Sequence, residues 1–233
     1  AESGYDSFPD YKTELFAMER ADASGISVPH VVARGQIQDR YLFRYLIMDF
    51  IEGKTLGDIR GSIGSSQKKK IGRELRKIVK KWAMVCPDFN GIDAVGRTLN
   101  SKRWEEAPAE IREKQKDFLL KLKTEPFVYV HGDLTEDNLI VGTDGSITVL
   151  DFADSLCAPA IYEDMTVICD AFQFDRDFLA GYYGKMDTEA LTERCMQAIL
   201  CHEYGYHVIK SICGLINDSL ELRDKIRHKL EGS

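Results

Sequence analysis

The sequence predicts an α+β fold in which strands are few and early and helices dominate the rest. Three observations predict it. Aliphatic, β-branched and aromatic residues crowd 30–37 and 41–49 on either side of the polar Gln38-Asp39-Arg40. A second pair, 139–141 and 147–150, flanks Gly142-Thr143-Asp144-Gly145, and most other apolar residues recur at helical spacing. With 233 residues, 44% hydrophobic and 30% charged, the chain holds enough apolar surface for a sizeable core.

Asp10, after Pro9, caps a helix over about 11–23 in which Tyr11, Leu15, Met18 and Ala21 share a face and Gly25 is the stop. The segments 30–37 and 41–49 follow as an antiparallel pair. Beyond Glu52-Gly53, a stripe of Ile71, Leu75, Ile78, Val79, Trp82 and Val85 marks a long helix, backed by Lys68, Lys69, Lys70, Arg73, Lys77 and Lys80 as a solvated face. Another helix covers 105–124, with Pro108 tolerated in its first turn. Phe127–Val130 reads as a short strand, the hairpin comes next, and from Tyr162 onward the pattern is helical.

Charge and cysteine usage exclude several classes. The net charge of −7 argues against a general binder of nucleic acid or anionic membrane, whose affinity comes from Lys and Arg. Residues 131–233 carry 19 acidic and 8 basic side chains, a net −11, leaving +4 on residues 1–130. No apolar run reaches the roughly 18–20 residues of a membrane span, and Ala1-Glu2-Ser3-Gly4 lacks a leader's profile, so a soluble cytoplasmic protein is expected. Six cysteines, none in a C-x-x-C pair, suggest free thiols rather than a zinc cage or disulfides.

Three motifs lead nowhere. Gly53-Lys54-Thr55 resembles the end of a phosphate-binding P-loop, but Met48 stands where that loop needs its first glycine. His202 and His207, five apart on an expected helix, face different sides and do not form a metal pair. Asn217-Asp218-Ser219 is a sequon without secretory context.

The chemistry lies in His131-Gly132-Asp133-Leu134-Thr135-Glu136-Asp137-Asn138-Leu139-Ile140 and the later Leu150-Asp151-Phe152. A tight hairpin turn folds Asn138 and Asp151 together, and oxygen ligands of this kind suit Mg²⁺ with water and phosphate. Asp133 is left to accept a proton from a hydroxyl.

This spacing resembles the catalytic loop and metal hairpin of the protein-kinase-like superfamily. With Gly132 in the loop and Phe152-Ala153 after the second acid, it is most similar to the aminoglycoside phosphotransferase and choline kinase branch. The resemblance implies a two-lobed fold, with a partial small lobe over 1–51 and a helical large lobe over 52–233. It implies transfer of phosphate from ATP or GTP to a small hydroxylated molecule. In that scheme Asp133 is catalytic, Asn138 and Asp151 hold Mg²⁺, and His131 supports the loop. Tyr45 to Gly53 is similar to the family's hinge, where the Asp49 carbonyl and Ile51 amide would contact adenine. Glu14 matches the helix-C glutamate, and Asp164, in Ala158 to Met165, reads as a helix cap.

The family pattern places three further strands and a lysine before the position of Glu14, and thirteen residues cannot hold them. Lys12, two residues from Glu14 on one helix, is no substitute. The chain is therefore expected to be a fragment, or to lack its first strands. The acidic second half favours a cationic acceptor. The competing expectation is a non-catalytic nucleotide-binding or scaffolding protein.

Overall fold

Pro9 sits in the first turn of helix α1 (Phe8–Ala23), where its missing N–H costs nothing. Asp10 lies inside that turn, toward the positive end of the helix dipole, rather than at the cap. The computed structural model describes residues 7–232, so Ala1 to Gly4 lie outside the described residues. One face of α1 buries Thr13, Glu14, Ala17, Met18 and Ala21.

Strands β1 (Val31–Gln38) and β2 (Leu42–Met48) form the expected antiparallel hairpin, from Val31↔Met48 to Gln38↔Leu42. No residue of either strand is buried. A two-residue strand, β3 (Lys54–Thr55), was not expected, because two polar residues carry no alternation. Thr55 then caps the single-turn helix α2 (Leu56–Ile59) through the Asp58 amide. Helix α3 (Ser65–Trp82) buries Ile71, Leu75, Val79 and Trp82, whereas Val85 lies past its end and is exposed. Asp93 caps α4 (Ala94–Leu99), a 3₁₀ turn runs Lys102–Trp104, and α5 (Ala109–Leu122) starts directly after Pro108.

Four short strands follow: β4 (Val128–Val130), β5 (Leu139–Val141), β6 (Ile147–Val149) and β7 (Leu156–Ala158). They make two small antiparallel sheets, ordered β3-β5-β6 and β4-β7. The carboxy-terminal part is helical as expected, but broken: α6 (Tyr162–Thr166) runs into a π-turn, Val167–Ala171, before α7 (Arg176–Tyr183), α8 (Thr188–Cys201), α9 (Gly205–Cys213) and α10 (Ser219–Glu231).

The basic face of α3 is not simply solvated. Lys68 and Lys69 pair with Asp175 and Asp177 at 2.6 and 3.1 Å, at the start of α7. Lys70 donates to the Asp144 carbonyl in the β5–β6 turn, and Lys81 to that of Gly25. One apolar cluster joins Ala17 and Met18 of α1 to Trp82, Tyr129, Phe152, Phe178 and Leu230. All six cysteines are free thiols. No helix among the described residues is long and apolar enough to cross a membrane.

Candidate active site

The loop after β4 is held from beneath by buried groups. His131 has no solvent exposure; its ring packs 4.7 Å from Phe152 and 5.7 Å from Trp82. Its Nδ1 accepts from the Asp133 amide at 3.2 Å and its Nε2 lies 3.0 Å from the Leu150 carbonyl, so the proton belongs on Nε2. Burial pushes its pKa down to about 4, which keeps the ring neutral. The backbone amides of His131 and Gly132 donate to the two oxygens of Glu163, at 2.7 and 3.1 Å. Gly132 is required here: its φ is +85°, and a Cβ would stand 2.4 Å from the Asp154 carbonyl oxygen.

This scaffold presents Asp133 half-buried. Asn138 Nδ2 donates to its Oδ2 and to its carbonyl, both at 2.9 Å. Burial, then the charges of Asp154 and Asp151, push the Asp133 carboxyl up to about 6. The hairpin pairs Leu139 with Val149, and the Leu150 amide donates to the Asn138 carbonyl at 2.9 Å, which sets Asp151 beside Asn138 in the chain's course. Asp151 turns out of β6 with φ +57°, a conformation in which a short acidic residue is tolerated. The described residues include no cluster of three or more His, Cys, Asp or Glu arranged around a metal.

Glu14 is brought to the same place. Its buried carboxyl is raised to about 7 by burial and by Asp151, and partly relieved by the Phe152 amide. Its Oε2 has no hydrogen-bond partner, and no Lys or Arg among the described residues pairs with it. Lys12 lies instead over the Phe8 ring. Just after β2, Asp49 takes the His30 amide at 2.6 Å and its ring at 3.1 Å, and the Asp49 amide donates to the His30 carbonyl. That leaves the Asp49 carbonyl and the Ile51 amide without backbone bonds among the described residues.

Asp133 opens onto a cavity of about 470 Å³ that is also lined by Arg97, Asp154, Asp170, His202, Tyr204 and His207. Two expectations are corrected here. His202 and His207 reach one cavity because α8 ends at Cys201 and α9 begins at Gly205, so the helical angle between them does not apply. Asp164 does not cap a helix: it is buried, pairs with Arg194 at 2.6 Å and accepts from the Tyr183 hydroxyl. Glu163, its neighbour, was missed as the anchor of the loop; the signal available was an acidic pair inside an otherwise apolar segment.

The family model for APH, the phosphotransferase enzyme family, matches residues 1–196, and the chain belongs to that family. Among solved structures it is similar to a GDP and kanamycin complex of APH(2")-IIia, with TM-score 0.59 and 17% identity over 100% of this chain and 83% of that one. It is also similar to a thermostable mutant of aminoglycoside phosphotransferase APH(4)-Ia in ternary complex with AMP-PNP and hygromycin B, with TM-score 0.61 and 15% identity over 97% and 83% of the two chains. For AMP-bound spectinomycin phosphotransferase APH(9)-Ia the TM-score is 0.53, at 16% identity over 95% and 85%. At such identities the likeness is one of fold: this is an α+β, protein-kinase-like architecture. No curated protein sequence matches the chain.

Proposed function

We propose that the protein moves the terminal phosphate of ATP or GTP to a hydroxyl of a small cationic molecule such as an aminoglycoside. The observation that carries this reading is the Asn138-to-Asp133 hydrogen bond at the mouth of an acid-lined cavity. It fixes a carboxylate oxygen where an acceptor hydroxyl can meet it. Neighbours in fold bind GDP with kanamycin and AMP-PNP with hygromycin B, which supports this choice of donor and acceptor class.

In this reading the acceptor hydroxyl donates a hydrogen bond to Asp133, which aligns its oxygen on the terminal phosphorus. The new P–O bond forms as the bond from that phosphorus to the bridging oxygen of the nucleotide breaks, and the hydroxyl proton passes to Asp133 late in the step. Asn138 has its amide nitrogen engaged, leaving Oδ1 as its free acceptor function, and Asp151 contributes carboxylate oxygens. An all-oxygen pair beside crowded negative charge fits Mg²⁺, which when bound neutralises phosphate charge. The Asp49 carbonyl and the Ile51 amide take the adenine or guanine edge, and Glu14 stands behind Asp151.

Asp133→Asn keeps the shape and removes the base. It is expected to lower kcat by at least about 10², with nucleotide Kd within a few fold, in assays with kanamycin, hygromycin B and spectinomycin. Near-wild-type turnover would remove Asp133 from the mechanism.

One observation favours a second reading. The unpartnered Oε2 of Glu14 leaves the helix-C glutamate without the cation that a competent kinase gives it, as in a non-catalytic nucleotide-binding protein. Thermal stabilisation by nucleotide and Mg²⁺ with no turnover would select that reading.

A further inference from the structure

Two of the six free thiols meet among the carboxy-terminal helices. Cys169 stands in the π-turn Val167–Ala171 and Cys195 midway along α8, and their sulfurs lie 3.8 Å apart. They are separated by 26 residues of chain, so the fold and not local sequence makes the pair.

The two sulfurs are not equivalent. Cys195 has no solvent exposure, whereas Cys169 is 9% exposed and lines the cavity of about 470 Å³ onto which Asp133 opens. Of the two, only Cys169 can meet a solute, and only a small one. Contact with Cys169 and then burial push the Cys195 thiol well above its usual range, which keeps it protonated until its neighbour reacts. A buried thiol by itself is inert. A reachable sulfur in contact with a sheltered one is what a two-electron oxidation needs, the first to react and the second to resolve.

The bond requires the sulfurs to close to about 2.0 Å, within the sweep of a cysteine side chain about its Cα–Cβ bond. Helix α8 is regular and is held by Arg194, which pairs with buried Asp164 at 2.6 Å. The adjustment therefore falls on the π-turn, which is already irregular and leads into Gln173 and Phe174 at φ +43° and +63°. The residue after Cys169 is Asp170, whose carboxylate accepts the Glu136 amide of the loop after β4 at 3.2 Å. A shift of the turn is thereby passed to that loop.

We propose that Cys169 and Cys195 are a peroxide-reactive dithiol site whose disulfide loosens the contact between Asp170 and Glu136. The Cys169 sulfur attacks one oxygen of hydrogen peroxide as the O–O bond breaks, and the thiol proton leaves with the other oxygen as water. Cys169 is then a sulfenic acid. The Cys195 sulfur attacks that sulfur, the S–O bond breaks, and the Cys195 proton leaves with the hydroxyl as a second water. Two thiols are oxidised by two electrons, and one peroxide is reduced to two waters. Neither the sulfur chemistry nor the amide contact depends on which reaction the protein catalyses.

The test treats the purified full chain with hydrogen peroxide, alkylates the remaining thiols and reads the proteolysed protein by tandem mass spectrometry. The expected result is a Cys169–Cys195 crosslink that dithiothreitol reverses. In Cys195→Ser, sulfenic acid trapped by dimedone at Cys169 should rise at least about fivefold over wild type. In Cys169→Ser none should form at Cys195, which no solute reaches. In the oxidised wild type the Glu136 amide should exchange at least about threefold faster than in the reduced protein, and recover on reduction. Peroxide that leaves both thiols free, or that joins Cys195 to Cys213 of α9 instead, overturns the site, and mapping of the wild type decides this even if a variant does not fold. A crosslink with unchanged exchange at Glu136 overturns the coupling to the loop.

Discussion

Glu163 holds the loop after β4 through one carboxyl group, and its two oxygens each accept a different backbone amide. It is fully buried, and burial raises its carboxyl to about 7, against the opposing pull of those two amides. The sign of its effect on stability follows. In the unfolded chain a glutamate titrates near 4.3, so the folded protein holds the extra proton between about pH 4 and 7. Its contribution is therefore most favourable at low pH, declines as pH rises through that window, and is flat above it. Glu163→Gln removes this slope and turns an N–H toward an N–H. We expect the variant to melt below the wild type, by a margin that narrows from pH 5 to pH 7, and to lose at least about tenfold in kcat because the loop shifts. Parallel slopes for the two proteins would show that Glu163 does not titrate there. That Asn138 lies against Asp133, and that the hairpin returns the chain beside Asn138, was legible in the sequence because one loop and one hairpin set that spacing. The role of Glu163 was not, since it depends on a contact across 31 residues that no local pattern encodes.

Helices α3 and α7 are joined by two kinds of contact that differ greatly in worth. At the crossing a Cβ on Gly72 would stand 2.3 Å from the Phe178 carbonyl oxygen, and one on Gly181 would stand 2.3 Å from that of Lys69. Backbone cannot rotate away as a side chain can. Alanine at position 72 gains about 1 kcal/mol of helix propensity but incurs an overpacking cost of about 3 kcal/mol or more. Lys68→Ala removes a partly exposed ion pair and should cost about 0–1 kcal/mol. Urea denaturation of the two variants is expected to rank Gly72→Ala clearly lower in stability than Lys68→Ala, and the reverse order would mean that the lysine pairs hold the interface. The apolar stripe of α3 was readable from period alone, as were α1, the β1–β2 pair and the β5–β6 hairpin. Not readable were β3 and β7, whose two and three residues are too few for a period, or the breaks in the helical tail at 172–175 and 202–204, where tertiary packing overrides a pattern that continues. The error over His202 and His207 has the same origin.

At the scale of the whole molecule, the chain division expected near residue 51 and the distribution of buried surface differ. Helix α1 precedes that point, yet Ala17 and Ala21 are completely buried in the same cluster as Trp82, Phe152 and Leu230. The Val149 amide donates to the Ser27 carbonyl, and Asn90 reaches the Thr13 hydroxyl, so the segment around α1 is also tied by hydrogen bonds to residues far along the chain. The β1–β2 hairpin between them has no buried residue, only Gly35, Arg44 and Leu46 being half-buried, and an isolated two-stranded hairpin is marginal in water. Local opening should therefore separate the hairpin from everything else, and not residues 1–51 from the rest. This matters for the proposed reaction, because Glu14 and Asp151 belong to the rigid part whereas Asp49 and Ile51 lie at the base of the hairpin. The phosphate end of the nucleotide site would be pre-formed and the base end adjustable. Amide hydrogen exchange distinguishes the two divisions. We expect the amides of 14–21 to exchange at the slow, global rate shared with 75–82, and those of 33–38 and 42–47 to exchange faster by at least about 10², which corresponds to about 3 kcal/mol of local stability. Slow exchange in the hairpin, or fast exchange in α1 together with it, would restore the division at residue 51 and make the whole amino-terminal segment a single moving lobe.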